Sequence, residues 1–200
     1  MFKKVLRVST VVALLTVGSM AKGHHDGQHG YGGDGKGQNQ THGHKNQNSK
    51  ELTIELSDTQ KEGLLFMAEE EKVARDVYLH LSNTWGERVF SNIAKAEQKH
   101  MDAVERLLVK NKLEIPSTID KQGVFENEEL QALYDELIEQ GDISLNDALE
   151  VGVAIEEKDI SDLEELLNES PIPSDVERVY GRLLGGSFNH LNAFNRELTK

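Results

Sequence analysis

Residues 57–86 read SDTQKEGLLFMAEEEKVARDVYLHLSNTWG. Ser57-Asp58-Thr59 with Glu62 near the first turn carry the residue types that open a helix. Leu64, Met67, Glu71, Ala74, Tyr78 and Leu81 then recur at steps of three and four, so they share one face of a helix that ends near Asn83–Gly86. Phe90, Ile93, Glu97, His100, Val104 and Leu107 repeat the pattern on a second helix that fades by Asn111. Pro116 to Gly123 reads as a loop and Asn127 to Gln140 as a shorter helix stopped by Gly141. Asp142 or Ser144 opens the next helix, striped by Leu149, Val153, Glu156, Ile160, Leu163 and Leu167. Ser174 is expected to cap the last, which places Tyr180, Leu183, Ser187, His190 and Phe194 on one face. No alternating strand pattern appears. Four long helices in two pairs, with a short extra helix in the connection between the pairs, predict an all-α antiparallel four-helix bundle.

The stripes are not purely apolar. Each has a polar interruption near mid-length: Glu71, then Glu97 with His100, then Glu156, then Ser187 with His190. A buried charge is costly unless it is paired or holds a metal. In an antiparallel bundle the mid-length positions meet at one level, with Glu71 opposite the Glu97 region and Glu156 opposite the Ser187 region. Glu97 and His100, three apart, lie on one helix face, where a carboxylate and an imidazole both reach a metal in the core. The candidate metal ligands are therefore Glu71, Glu97, His100, Glu156 and His190. Glu70 and Glu157 compete for the inward positions, and the run Glu69-Glu70-Glu71 also reads as a solvated face. Tyr78 reads as a core residue with a hydrogen-bonded hydroxyl, His80 as a surface residue, and Arg75 as a partner of nearby acids.

These residues resemble the ferritin-like superfamily, and within it the helices of rubrerythrins. Glu71-Lys72-Val73-Ala74-Arg75-Asp76-Val77-Tyr78 is similar to the first-helix pattern of Glu, two residues, Ala-Arg, two residues, Tyr. Phe90, Ile93, Glu97 and His100 resemble the second helix. Ala154-Ile155-Glu156 with Asp159 resembles the third, and Arg178-Val179-Tyr180 with His190 the fourth. Over about residues 57–198 the chain is more similar still to an uncharacterised ferritin-like family of bacteria and archaea, known as a domain of unknown function. The resemblance implies an iron site, one or two ions, with dioxygen or peroxide as co-substrate; manganese and zinc suit the same donors. Ferritin-like bundles often pair, which makes a homodimer compatible with the sequence. One departure stands out: the fourth helix normally carries Glu-x-x-His, whereas this chain has Ser187-Phe188-Asn189-His190. Asp159 or Glu157 would have to replace the missing carboxylate.

The rest of the chain bounds the function. Its 200 residues include no Cys, so a disulfide framework, a thiolate metal site and a thiol nucleophile are excluded. The net charge of −13 argues against nucleic acid as a partner. Met1–Ala21 reads as a signal peptide: Lys3, Lys4 and Arg7, then a short apolar run, then Ser19-Met20-Ala21. That run is too short to span a membrane, so export with no membrane anchor after cleavage, to periplasm or medium, is expected. Lys22–Lys50 is a Gly/His-rich segment expected to be a disordered tail, and it holds five of the eight histidines. Residues 51–200 form the folded domain. Three functions compete: an iron-dependent oxidase or peroxide-reducing protein, a non-catalytic metal-sequestering bundle, and a structural or interaction bundle with a degenerate site. A hydrolase built on Ser187 and His190 is set aside, because two side chains on one helix provide no oxyanion hole.

Overall fold

The computed structural model describes residues 55–200; the expected signal peptide and Gly/His-rich tail lie outside the described residues. Five helices account for most of them: α1 (Asp58–Trp85), α2 (Arg88–Lys110), α3 (Glu128–Gly141), α4 (Leu145–Leu167) and α5 (Ser174–Leu198). No strand occurs among the described residues. None of their helices is long and apolar enough to cross a membrane.

Local chemistry sets the boundaries. Ser57 and Gln60 form a reciprocal capping box at the start of α1, a contribution of about 1 kcal/mol. Gly86, at φ 70°, takes the left-handed conformation that ends α1 and lets α2 begin two residues later. Asn127 caps α3 through its side chain, and Ser144, rather than Asp142, caps α4. The expected cap at Ser174 is corrected by one residue. Pro173 holds the cap position of α5 without a side-chain hydrogen bond, and Ser174 is the first helical residue, because the fixed proline φ already suits a helix entry.

The long helices pack in a closed ring, α1 on α2, α2 on α5, α5 on α4 and α4 on α1, while α3 covers the seam between α1 and α4. Along α1 and α2 the partners run in opposite order: Arg75 meets Gln98 and Met101, and Tyr78 meets Phe90. The interior divides into two apolar clusters. One gathers Val73, Val77, Tyr78, Phe90, Ala94, Val151, Ile155 and Phe194; the other gathers Leu64, Met67, Met101, Val104, Leu163 and Leu183. On each long helix the change from one cluster to the other falls at the polar interruption read from the sequence. A polar layer thus crosses the interior between two apolar ones.

Candidate metal centre

The run Glu69-Glu70-Glu71 on α1 supplies the first element of this layer. The solvated-face reading of these acids does not hold, since all three are buried. Successive helical residues point about 100° apart, so each carboxylate meets a different neighbour. Glu69 accepts the backbone N–H groups of Glu126 and Asn127 at 2.7 and 3.2 Å and holds the entry to α3. Glu70 meets Lys158 of α4 at 2.7 Å. Glu71 turns toward the centre. On α4, Glu156 is buried and Glu157 is exposed. The two alternatives open in the sequence therefore resolve in favour of Glu71 and Glu156.

All five expected residues come together. Glu71, Glu97 and His100 form one group whose ligand atoms lie within 4.8 Å of one another, and Glu97, Glu156 and His190 form a second on the same criterion. Glu97 belongs to both. Its Oε2 lies 2.8 Å from His100 Nδ1, and its Oε1 lies 2.8 Å from His190 Nδ1. Glu71 Oε2 is 3.3 Å from His100 Nδ1, and Glu156 Oε2 is 3.5 Å from His190 Nδ1. The imidazoles stack with centroids 5.5 Å apart and planes at 28°.

Short distances here are not well-made hydrogen bonds. Glu71 Oε1, Glu97 Oε1, His100 Nδ1, His190 Nδ1 and Asp159 Oδ1 are buried and have no aligned partner. Buried polar atoms are normally satisfied, so five orphans in one layer need an explanation. A cation between each histidine and its two carboxylates would satisfy the members of both groups together. Two carboxylates and an imidazole are donors suited to iron, manganese or zinc.

The electrostatics carry the same strain. Burial pushes Glu71 and Asp159 well above the usual carboxylate range, and neighbouring acids add to the shift. Burial likewise raises Glu156, to about 7. Glu97 is the exception: burial opposes its charge, but the two imidazoles outweigh that and lower it to about 2. For His100 and His190 burial favours the neutral ring, yet attraction to the carboxylates raises them to about 11 and about 9. The carboxylates thus draw positive charge toward both rings.

Two further side chains complete the surroundings. The Tyr78 hydroxyl donates to Glu156 Oε1 at 2.7 Å and fixes that carboxylate, as its core reading anticipated. Ser187 does not face the two groups as a ligand; its hydroxyl donates to Asp159 Oδ2. Where the ferritin-like resemblance expects a carboxylate on α5, Ser187 instead holds the buried Asp159 of α4. Sequence reasoning left Glu70 open as an inward residue and missed the burial of Glu69 and Lys72. Their partners come from the segment before α3, Glu126 and Asn127 for Glu69 and Phe125 for Lys72.

The profile of a family described as "Uncharacterized protein domain (DUF2202)" matches residues 60–200. The chain belongs to this family. It is 50% identical over 143 residues to uncharacterized protein MJ0754 of Methanocaldococcus jannaschii, which covers 72% of this chain and 77% of that protein. The crystal structure of hypothetical protein MJ0754 from Methanococcus jannaschii DSM 2661 superposes with a TM-score of 0.71 at 49% identity, over 73% of this chain and 83% of that one.

Proposed function

We propose that this DUF2202 chain is an exported, antiparallel ferritin-like four-helix bundle that holds two metal ions, with iron as the resident pair, and acts as an oxidase or peroxide-reducing protein. The observation that carries the reading is Glu97, shared between two convergent carboxylate–histidine groups whose buried donor atoms lack aligned partners. Glu97 would bridge. Glu71 with His100 would complete one side, and Glu156 with His190 the other. Iron held there would supply the redox chemistry for dioxygen or peroxide, with an external reductant delivering the electrons for turnover. The chain's own residues do the rest. Tyr78 fixes Glu156 by its hydroxyl, Ser187 fixes Asp159, and the two half-stacked rings, 15% and 12% exposed at the side chain, form the wall nearest solvent. Export rests on the Met1–Ala21 pattern.

The test is metal content of the full chain after anaerobic loading with ferrous iron and, separately, with manganese and zinc. The Glu97→Ala variant serves as the baseline, so that ions gathered by the His-rich tail cancel. Two site-dependent irons per chain are expected, and none would overturn the reading. A second reading, metal sequestration without turnover, is favoured by Ser187 at the place where the ferritin-like pattern has a ligand. Loaded protein that fails to consume peroxide or dioxygen would decide for it.

A further inference from the structure

Two consecutive glycines lie inside α5, Gly185 and Gly186. Glycine weakens a helix interior relative to alanine, so the pair calls for a reason, and the two positions differ. A Cβ at Gly185 would meet nothing within 4 Å, whereas a Cβ at Gly186 would lie 2.6 Å from both Cε1 and Nε2 of His100. That is closer than any carbon contact tolerates. The His100 ring therefore rests its Cε1–Nε2 edge against bare α5 backbone. Its opposite nitrogen, Nδ1, turns to Glu97 at 2.8 Å and Glu71 at 3.3 Å. The His190 imidazole stacks on the same ring, with centroids 5.5 Å apart.

We propose that Gly186 is the positioning residue for His100: the missing side chain is the notch that lets the imidazole present Nδ1 to the group it forms with Glu71 and Glu97. This rests on the reading of His100 as a ligand. The notch also accounts for the glycine pair by halves: Gly186 is required by His100, and Gly185 is not.

The experiment uses the full chain as wild type, Gly186→Ala, Gly185→Ala, His100→Ala and the double variant Gly186→Ala/His100→Ala. Site-dependent iron is read against Glu97→Ala, and the metal-free Tm is read for each. Gly186→Ala is expected to lose half of the site-dependent iron, keeping the ion at Glu97, Glu156 and His190, and to lower the metal-free Tm. Gly185→Ala should keep all the iron and raise the Tm, as helix propensity alone predicts. In the His100→Ala background the sign at Gly186 should reverse, and alanine there should raise the Tm. If Gly186→Ala fails to fold, recovery of folding in the double variant supports the notch, and continued failure overturns it. Full iron in Gly186→Ala, or an equal Tm loss in both backgrounds, also overturns it. Wild type without site-dependent iron overturns the proposed function and this inference together, and is thereby distinct from failure of the notch alone.

Discussion

Two buried charged regions share α1 and behave oppositely. On one side of the helix, Asp76 accepts from Lys72 Nζ at 2.6 Å, from Arg75 Nε at 2.8 Å and from the Gly123 N–H at 2.9 Å. Arg75 goes on to Gln98 and to the Ile119 carbonyl, and the Lys72 ammonium lies 3.9 Å from the Phe125 ring centroid. Every charge there has a counter-charge and aligned donors, and the loop before α3 is tied down by the result. On the other side, Glu71 joins Glu97, Glu156, Asp159 and two histidines, where acids are in excess and donor atoms go unmatched. The difference teaches that buried charge by itself does not mark a functional centre. A satisfied network is architecture; an unsatisfied one, kept at a cost in stability, points to a ligand.

Four measurements of metal-free stability would break or sharpen this contrast, in descending order of effect. Asp76→Ala strands the buried Lys72 and Arg75, and should cost about 3–5 kcal/mol in urea unfolding. Iron per folded chain should be unchanged; a parallel loss of iron would mean that the two regions are one network.

The second measurement is pH. His190 and His100 sit above their ordinary value of 6.5, at about 9 and about 11. A raised folded-state value means that the folded chain binds more protons than the unfolded one between those limits. Their contribution is thus complete below pH 6.5 and is lost as pH rises through 9 and beyond. Glu71 and Asp159, raised by burial, act in the same direction as they ionise. The metal-free Tm should fall between pH 6.5 and 9, and bound metal should flatten the profile because neutral imidazoles are the ligands. A metal-free profile without slope would contradict the charge balance described for the centre.

Tyr78→Phe removes one buried hydrogen bond to Glu156 and should cost about 1 kcal/mol. It should also weaken metal binding by about tenfold, as loss of a residue that orients a ligand does. Unchanged affinity in a metal titration would reduce Tyr78 to a core residue. Smallest of all, Glu71→Gln should leave metal-free stability within about 1 kcal/mol of wild type, or raise it, because it relieves a crowded acid. The same variant should lose the iron shared with His100. A large destabilisation instead would place Glu71 with Asp76, as architecture.

Much of this was legible in the sequence because helices are local. Steps of three and four placed Glu71, Glu97, His100, Glu156 and His190 on inward faces, and the capping residues fixed helix ends to within a residue or two. The legible part ended where a side chain's partner comes from elsewhere in the chain. Nothing near Lys72 shows that it is buried, since its cover, Phe125, arrives from a loop more than fifty residues later. Nothing near Gly186 shows the histidine of α2 that needs it.

The sequence by itself determined the helices, the polar interruption on each stripe and the donor types, because periodicity, capping and ligand chemistry are properties of neighbouring residues. Only the tertiary structure decided that Glu97 is common to two groups, that Asp159 and Ser187 pair across helices, and that three consecutive acids take three separate roles. Those outcomes depend on how helices rotate about their axes and meet at one level, which is set by the packing of the two apolar clusters on either side.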